Sequence, residues 1–288
     1  MKKKRTFLMA GLLFLTGCGN ISHDSITPVS REDGSGTRGA FVELFDIQIK
    51  DENGKKTDMI TDHAEITNST AVMLLTVTGN RNAIGYISMG SMNDAVKTLE
   101  IDGVEATFEN IKNGSYKIAR PFNIATKEDI SSAAQDFIGF ILSAEGQKIV
   151  EENGYISQGN SGAYVPSSAK GRVVVSGSSS VAPVMEKIKE VYEVINSSVT
   201  IEMQQSDSTI GMNSLKEGMC DIGMASRELK ESERAAGLIP TVIALDGIAV
   251  VVNHENPLNG LKSEEVKAIY MGNIDKWTEI PLDKEERG

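Results

Sequence analysis

Polar and apolar positions alternate along the chain in short blocks that switch between strand and helix periods. Ile26 to Ser30 has the pattern of a short strand running into a Gly-rich turn, and a helix is predicted from Gly36 to Phe45. A polar turn follows at Asp51 to Lys56, with Asn53-Gly54 at its tip. Ala64 to Val77 only alternates between polar and apolar stretches, while Asn82 to Met89 reads as a strand. Ile101 to Asn113 holds a short strand and a helical turn, and Ile118 to Ile124 is extended but broken by Pro121. The spacing of Phe137, Ile138, Ile141, Leu142, Ile149 and Val150 predicts one helix over Ser131 to Asn153, stopped by Asn153-Gly154.

Residues 157–170, rich in Ser, Gly and Asn, are the clearest linker in the chain. Beyond it the pattern predicts strands at Arg172 to Ser176, Val199 to Gln204, Asp221 to Met224 and Thr241 to Asn253. Helices are predicted at Ala182 to Ile195, Gly211 to Glu217 and Ser263 to Tyr270. Strands alternating with helices imply an α/β architecture with largely parallel sheets. No internal repeat stands out.

Composition narrows the function classes. With 288 residues, 40% of them hydrophobic and 24% charged, the chain has enough apolar material for real cores, which excludes wholesale disorder and collagen-like or multi-span membrane classes. A net charge of −11 argues against a free-standing nucleic-acid binder, which needs a basic face to neutralise phosphates. Cys18 and Cys220 are too few for a disulfide scaffold, and His23, His63 and His254 lack metal-ligand spacing, so neither a metal nor a cofactor is expected.

The N-terminus carries targeting information. Lys2, Lys3, Lys4 and Arg5 precede an apolar run from Phe7 to Gly17, too short to span a bilayer but right for the core of a signal peptide. It ends in Leu15-Thr16-Gly17-Cys18, which resembles a bacterial lipobox, where the Cys becomes the first residue and carries the lipid. Residues 1–17 are therefore expected to be a lipoprotein signal peptide and residues 18–25 a polar tether. The expected setting is extracytoplasmic, lipid-anchored to the bacterial cell membrane.

Three Gly/Ser-rich segments stand at strand-to-helix junctions: Arg31 to Arg38, Ser176 to Pro183 and Gln205 to Gly211. Each brings small residues, hydroxyls and the free N–H groups of a helix start, which together hold oxyanions well. A Ser before a helix is, by itself, usually only an N-cap; three such starts in equivalent places point to a tetrahedral anion, with Arg31 or Arg38 as its forked cation. No Gly-Lys-Ser/Thr follows, which weakens an NTPase reading. The serines have no nearby His, which weakens a hydrolase reading.

These residues resemble a known family, the phosphate-binding lipoproteins of bacterial phosphate ABC transporters. The match is carried by Val29-Ser-Arg-Glu-Asp-Gly-Ser-Gly-Thr-Arg-Gly39, Val174-Val-Ser-Gly-Ser-Ser-Ser180 and Asp221-Ile-Gly-Met-Ala-Ser-Arg227. Asp246 to Asn253 and Tyr116 to Phe122 resemble the two strands that cross between the family's lobes. The resemblance runs from Ile26 to Ile280 and implies a two-lobed periplasmic-binding-protein-like fold (type II) with a ligand cleft between the lobes. It implies no enzymatic activity and no cofactor. The implied function is capture of inorganic phosphate for the ABC permease of an importer, by a protein that meets the membrane through its lipid anchor and binds no nucleic acid. The alternatives are a binding protein or sensor for another tetraoxyanion such as sulfate, or a phosphoester hydrolase.

The order of the halves is exchanged relative to the family, so the chain resembles a circular permutant. The resemblance then implies a discontinuous lobe of residues 26–117 and 246–288 and a continuous lobe of residues 118–245 containing the 157–170 linker. A domain-swapped dimer and a piece of a longer tandem protein remain as other accounts of that order. Carried over by position, the family's contacts imply Arg31 on the anion with Asp33 orienting it. Ser35, Gly36 and Thr37 would donate from one helix start, Ser179 and Ser180 from a second, and Ser208 from a third. Ser226-Arg227 falls where many members have Ser-Asp. Arg227 therefore either meets the anion in place of that acceptor, leaving the acceptor role to another residue such as Asp207, or turns outward.

Overall fold

The computed structural model describes residues 25–50 and 56–280. The expected signal peptide, the expected tether up to Asp24 with Cys18 in it, and the turn at Asn53-Gly54 lie outside them. In chain order the elements are β1 (Thr27–Arg31), α1 (Gly36–Leu44), β2 (Gln48–Lys50), β3 (Lys56–Asp58), β4 (Glu65–Thr67), α2 (Thr70–Gly79) and β5 (Ala83–Ser88). There follow β6 (Lys97–Thr98), β7 (Glu100–Ile101), α3 (Phe108–Lys112), β8 (Ala119–Thr126), α4 (Ser132–Ile141), α5 (Ala144–Glu152), β9 (Gly171–Ser178) and α6 (Ala182–Ile195). The last are β10 (Val199–Ser206), α7 (Ser208–Glu217), β11 (Ile222–Ala225), α8 (Glu231–Ala235), β12 (Ile239–Val252), β13 (Gly260–Leu261) and α9 (Ser263–Tyr270).

One sheet runs in the order β10-β9-β11-β8-β12-β5-β1-β4. Its two ends are parallel, as βαβ crossovers make them: β9 pairs with β10 and β11, and β1 pairs with β4 and β5. Its middle is antiparallel, because β8 pairs with β11 and β12, and β12 pairs with β5. The sheet is therefore mixed, and the parallel character expected from the sequence is confined to the two ends.

Two separate cores grow on this sheet. One gathers apolar side chains from Ile26 to Ile118 and from Ile248 to Ile280, joined by Ile156, around Phe41, Tyr86 and Tyr270. The other gathers Phe122 to Ala244 around Phe137, Phe140 and Tyr192, with a smaller cluster about Met212 and Leu215 beside it. The change from one core to the other falls within β8 and within β12, so those two strands are the crossings between a first and a second lobe. Among the described residues no helix is long and apolar enough to cross a membrane.

Three expectations from the pattern are corrected. The single helix over Ser131 to Asn153 is two helices. Leu142 ends α4, and Ser143 starts α5 by accepting from Gly146 N at 3.1 Å while donating to Phe140 O at 2.7 Å. The apolar spacing continues through that break because both helices bury residues into the same core. Pro121 does not break β8: it pairs with Leu245 of β12, and β11 reaches only Asn123 to Ala125 on the other side, so the missing N–H is not needed. Ala64 to Val77, which showed no clear element, contains β4 and most of α2, started by Ser69, whose hydroxyl accepts from Val72 N at 3.2 Å.

Residues 157–170 hold no helix or strand, yet several bonds fasten them to the second lobe. Ser161 N donates to Leu142 O at 2.8 Å, Tyr164 N to Glu145 Oε2 at 2.7 Å, and the Tyr164 hydroxyl to Asp136 Oδ2 at 2.7 Å. Asp136 also accepts from Tyr192 at 2.7 Å and Asn196 at 3.0 Å. Its burial would raise the carboxyl, but these bonds outweigh that and hold it below the usual range.

Candidate functional site

Four helix starts, two from each lobe, meet where the lobes face each other. In the first lobe α1 begins at Gly36 with Ser35 as its cap, and α2 begins at Thr70. In the second lobe α6 follows Ser179-Ser180, and α7 begins at Ser208 with Asp207 as its cap, accepting from Ile210 N at 2.7 Å. That cap starts α7 three residues before the Gly211 expected from the sequence, which brings the Ser208 hydroxyl into the cleft.

The hydroxyls of these starts form one buried cluster that spans the lobes. Thr37 Oγ1 lies 2.8 Å from Ser180 Oγ and 3.3 Å from Ser226 Oγ, and Thr70 Oγ1 lies 3.3 Å from Ser180 Oγ. Ser178 Oγ donates to Ser226 Oγ at 3.0 Å, and Ser208 Oγ accepts from Ser226 N at 3.2 Å. Gly36 is the close-approach position: a methyl there would collide with Ser208 Oγ and stand 2.8 Å from Ser226 Oγ. Only a residue without a Cβ lets α1 come this near to the other lobe.

Two guanidinium groups, both almost fully buried, reach this cluster. Arg31, at the end of β1, donates from Nη2 to Ser179 Oγ at 3.1 Å across the cleft and from Nη1 towards Thr70 Oγ1 at 3.5 Å. Glu32 grips the same guanidinium with both oxygens, at 2.8 and 2.7 Å. Behind Arg31, the Tyr86 hydroxyl accepts from Arg31 N at 3.1 Å and lies 2.8 Å from Ser30 Oγ. Burial pushes that phenol up to about 12, so it stays protonated. The second guanidinium is Arg120 of β8, which donates from Nη2 to Thr37 Oγ1 at 3.0 Å and from Nε to Ser226 O at 2.9 Å.

The residues expected from the sequence divide accordingly. Arg31, Thr37, Ser179, Ser180, Ser208 and Ser226 are brought together, with Gly36 packed against them. Ser35 spends its hydroxyl on capping α1 by accepting from Arg38 N at 3.3 Å. Asp33 does not orient Arg31: its side chain is 95% exposed and pairs with Arg38 at 3.2 Å. Glu32, the neighbour on the other side of the turn, takes the orienting role. Arg227 does not face the cluster either. It forms a two-pronged pair with Glu233 at 2.8 Å and donates to Glu228 O at 2.9 Å. Burial would raise Glu233, but the Arg227 bonds dominate and hold it low. Asp207, the alternative acceptor, spends one carboxylate oxygen on the α7 cap.

Thr70, Ser178, Arg120 and Glu32 were not singled out from the sequence. Thr70 carried a usable signal, Ser69-Thr70 ahead of the apolar run Val72 to Leu75. Arg120 carried none, since nothing local tells which side of a crossing strand its side chain leaves.

Beside the cluster a cleft of ≈ 910 Å³ opens between the lobes, lined among others by Ser35, Arg38, Arg120, Thr209 and Arg227. Of its lining, Thr209 ties the lobes together by donating both N and Oγ1 to Gly34 O at 3.1 Å. The arrangement offers hydroxyl donors, helix-start N–H groups and a forked cation around one point, which suits a small anion with oxygens in tetrahedral positions.

A family model described as a PBP superfamily domain matches residues 19–145 and 164–287. The chain is 53% identical over 277 residues to the phosphate-binding protein PstS 2 of Streptococcus agalactiae, covering 94% of each chain. It is 42% identical to the protein of that name from Streptococcus pneumoniae, covering 97% of this chain and 99% of the other. Among solved structures it is similar to a phosphate-binding protein of a phosphate ABC transporter from Streptococcus pneumoniae, with 43% identity and a TM-score of 0.70. That similarity covers 89% of this chain and all of the other.

Proposed function

The chain belongs to the PBP superfamily, among its phosphate-binding proteins, and on that footing we propose that it captures inorganic phosphate between its lobes for an ABC importer. The observation that carries this reading is the buried cluster in which Arg31, Thr37, Thr70, Ser179, Ser180, Ser208 and Ser226 converge from both lobes. Binding needs no chemistry from the protein: donors set around the oxygens replace the ion's hydration, and closure excludes water. The partners are phosphate and the permease of the importer.

The same geometry supports an assignment of site residues. Arg31 forks onto the anion while Glu32 holds its plane, and Thr37, Thr70, Ser179, Ser180 and Ser208 supply donors, with Ser226 of the second lobe meeting Thr37 of the first. Gly36 admits the close approach, and Ser35 acts through the α1 cap. The protein sits outside the cytoplasmic membrane, held by a lipid on Cys18 after removal of residues 1–17, in keeping with the basic, apolar and Leu-Thr-Gly-Cys sequence there.

Against the order that the resemblance implies for the family at large, we infer that the halves stand exchanged, joined through residues 157–170, with residues 26–117 and 246–288 as the discontinuous lobe and 118–245 as the continuous one. The relatives that align along 94% or more of both chains share this order. Support comes from the other ends: Ser25 bridges to Lys276, and Ile26 N donates to Asp275 O at 2.7 Å. Two strands of chain that lie side by side can be rejoined there and opened at an exposed linker without disturbing either core.

Calorimetric titration of the purified protein with phosphate, with sulfate in parallel, tests the reading. Micromolar or tighter phosphate binding near one per chain is expected. A folded protein that releases no heat with phosphate refutes the function, and turnover of a phosphate ester would move it to the hydrolase class.

A further inference from the structure

Arg120 and Asp246 face each other at the point where the chain crosses between lobes. They are register partners on β8 and β12, both almost completely buried, with Arg120 Nη1 3.1 Å from Asp246 Oδ2. The contact is an ion pair without the alignment of a hydrogen bond, so neither atom is fully satisfied. Asp246 is held in turn by Ser88 Oγ at 2.9 Å and Gly90 N at 3.5 Å, from the end of β5. A buried pair of this kind is poor value for stability, since desolvation rivals the attraction. Burial in fact dominates both partners, lowering Arg120 and pushing Asp246 up to about 6. The other groups facing the pair are Arg31, Tyr86 and Tyr155, none of which is a second carboxylate.

The remaining donors of Arg120 explain why the pair is there. Nη2 reaches Thr37 Oγ1, which moves with the first lobe, and Nε reaches the Ser226 carbonyl, which moves with the second. A side chain on a crossing strand stays near the axis while the lobes turn about it, so both bonds form together in only one relative orientation of the lobes. Thr37 Oγ1 is also the hydroxyl that meets Ser180 and Ser226.

We propose that Arg120 latches the closed cleft: backed by Asp246, its guanidinium bonds one lobe through Thr37 and the other through Ser226, so anion capture and lobe closure depend on the same cation. Arg120 is thus a positioning residue, one hydrogen bond behind the anion. A guanidinium is required, because an ammonium cannot make two directed hydrogen bonds to opposite lobes and an ion pair from three separate nitrogens of one plane.

The latch rests on the phosphate reading for its ligand but not for its geometry. The test uses the purified protein and its Arg120→Gln, Arg120→Lys and Asp246→Asn variants. Folding is checked by circular dichroism, phosphate affinity by calorimetry and compaction by small-angle X-ray scattering with and without phosphate. The wild type is expected to compact on binding. Arg120→Gln should lose at least tenfold in affinity and stay extended at saturating phosphate, Arg120→Lys should recover part of the affinity without full compaction, and Asp246→Asn should bind more weakly. A folded Arg120→Gln protein that compacts like the wild type with affinity within threefold overturns the latch. If Arg120→Gln does not fold, Arg120→Lys decides, and wild-type behaviour there overturns it equally. If the wild type does not bind phosphate, the function reading fails, and the latch is judged on ligand-free scattering: a more extended Arg120→Gln supports it, identical curves overturn it.

Discussion

Replacing Arg31 by Ala removes the cation that the proposed site places directly on the anion. Arg31 is 2% exposed, its guanidinium set by Glu32 at 2.7 and 2.8 Å and aimed across the cleft at Ser179 at 3.1 Å. A hydrogen bond to a charged group contributes about 1.5–3 kcal/mol, and a forked guanidinium supplies two to an oxyanion. The direct loss is then about 3–6 kcal/mol, or roughly 10²–10⁴-fold in affinity. The variant also leaves the Glu32 carboxylate beside the site without its partner, and repulsion of the anion pushes the loss towards the upper end. Arg31→Lys keeps the charge but not the fork and should fall between the two. Titration calorimetry of wild type and both variants with phosphate measures this, after thermal unfolding has shown that each is folded. An Arg31→Ala protein that binds phosphate within threefold of the wild type refutes the site.

Three further outcomes are expected. Gly36→Ala should abolish phosphate binding while leaving a folded protein, because its methyl meets Ser208 and Ser226 only when the lobes close; unchanged titration would show that closure does not bring α1 this near. Arg227→Ala should leave phosphate affinity within about threefold, since a hydrogen-bonded pair with Glu233 holds Arg227 away from the cluster; a tenfold loss would place Arg227 on the anion after all. Asp246 is pushed above its ordinary value of 3.8 to about 6 by burial, so the folded state binds its proton more tightly than the unfolded state. Its contribution to stability is present below pH 4 and lost as the pH rises through about 6. The stability advantage of wild type over Asp246→Asn should therefore shrink between pH 4.5 and 7.5, by about 1–3 kcal/mol; denaturant titrations showing a constant difference would contradict this.

Much of the fold could be read along the chain because its signals are local. Apolar positions at helical spacing mark a helix wherever it later sits, so α1, α6 and α9 fall where the pattern predicts them, although of the three only α1 has a side-chain cap, Ser35. The hydroxyl- and Gly-rich junctions were visible for the same reason, and Arg31, Thr37, Ser179, Ser180 and Ser208 come from them, whereas Ser226 was reached only through the family resemblance of Asp221 to Arg227. The pattern went wrong where one periodic signal serves two elements: α4 and α5 bury the same face, and only the Ser143 cap between them shows the break.

Partnership was not legible. Glu32 and Asp33 are adjacent acids of one turn, and whether Arg31 takes one or the other depends on which way each side chain leaves the backbone after β1. Arg227 has the sequence of an anion contact, yet a helix that starts four residues later offers Glu233 at closer range. Arg120 and Asp246 lie 126 positions apart and meet only because β8 and β12 pair in one particular register. The sequence by itself determined most of the elements and the hydroxyl-rich helix starts, because propensity, capping and hydroxyl content act over a few residues. The tertiary structure decided which charges pair, which cation crosses the cleft and which hydroxyls meet in the buried cluster, because those depend on sheet order and register, set by burying two cores at once.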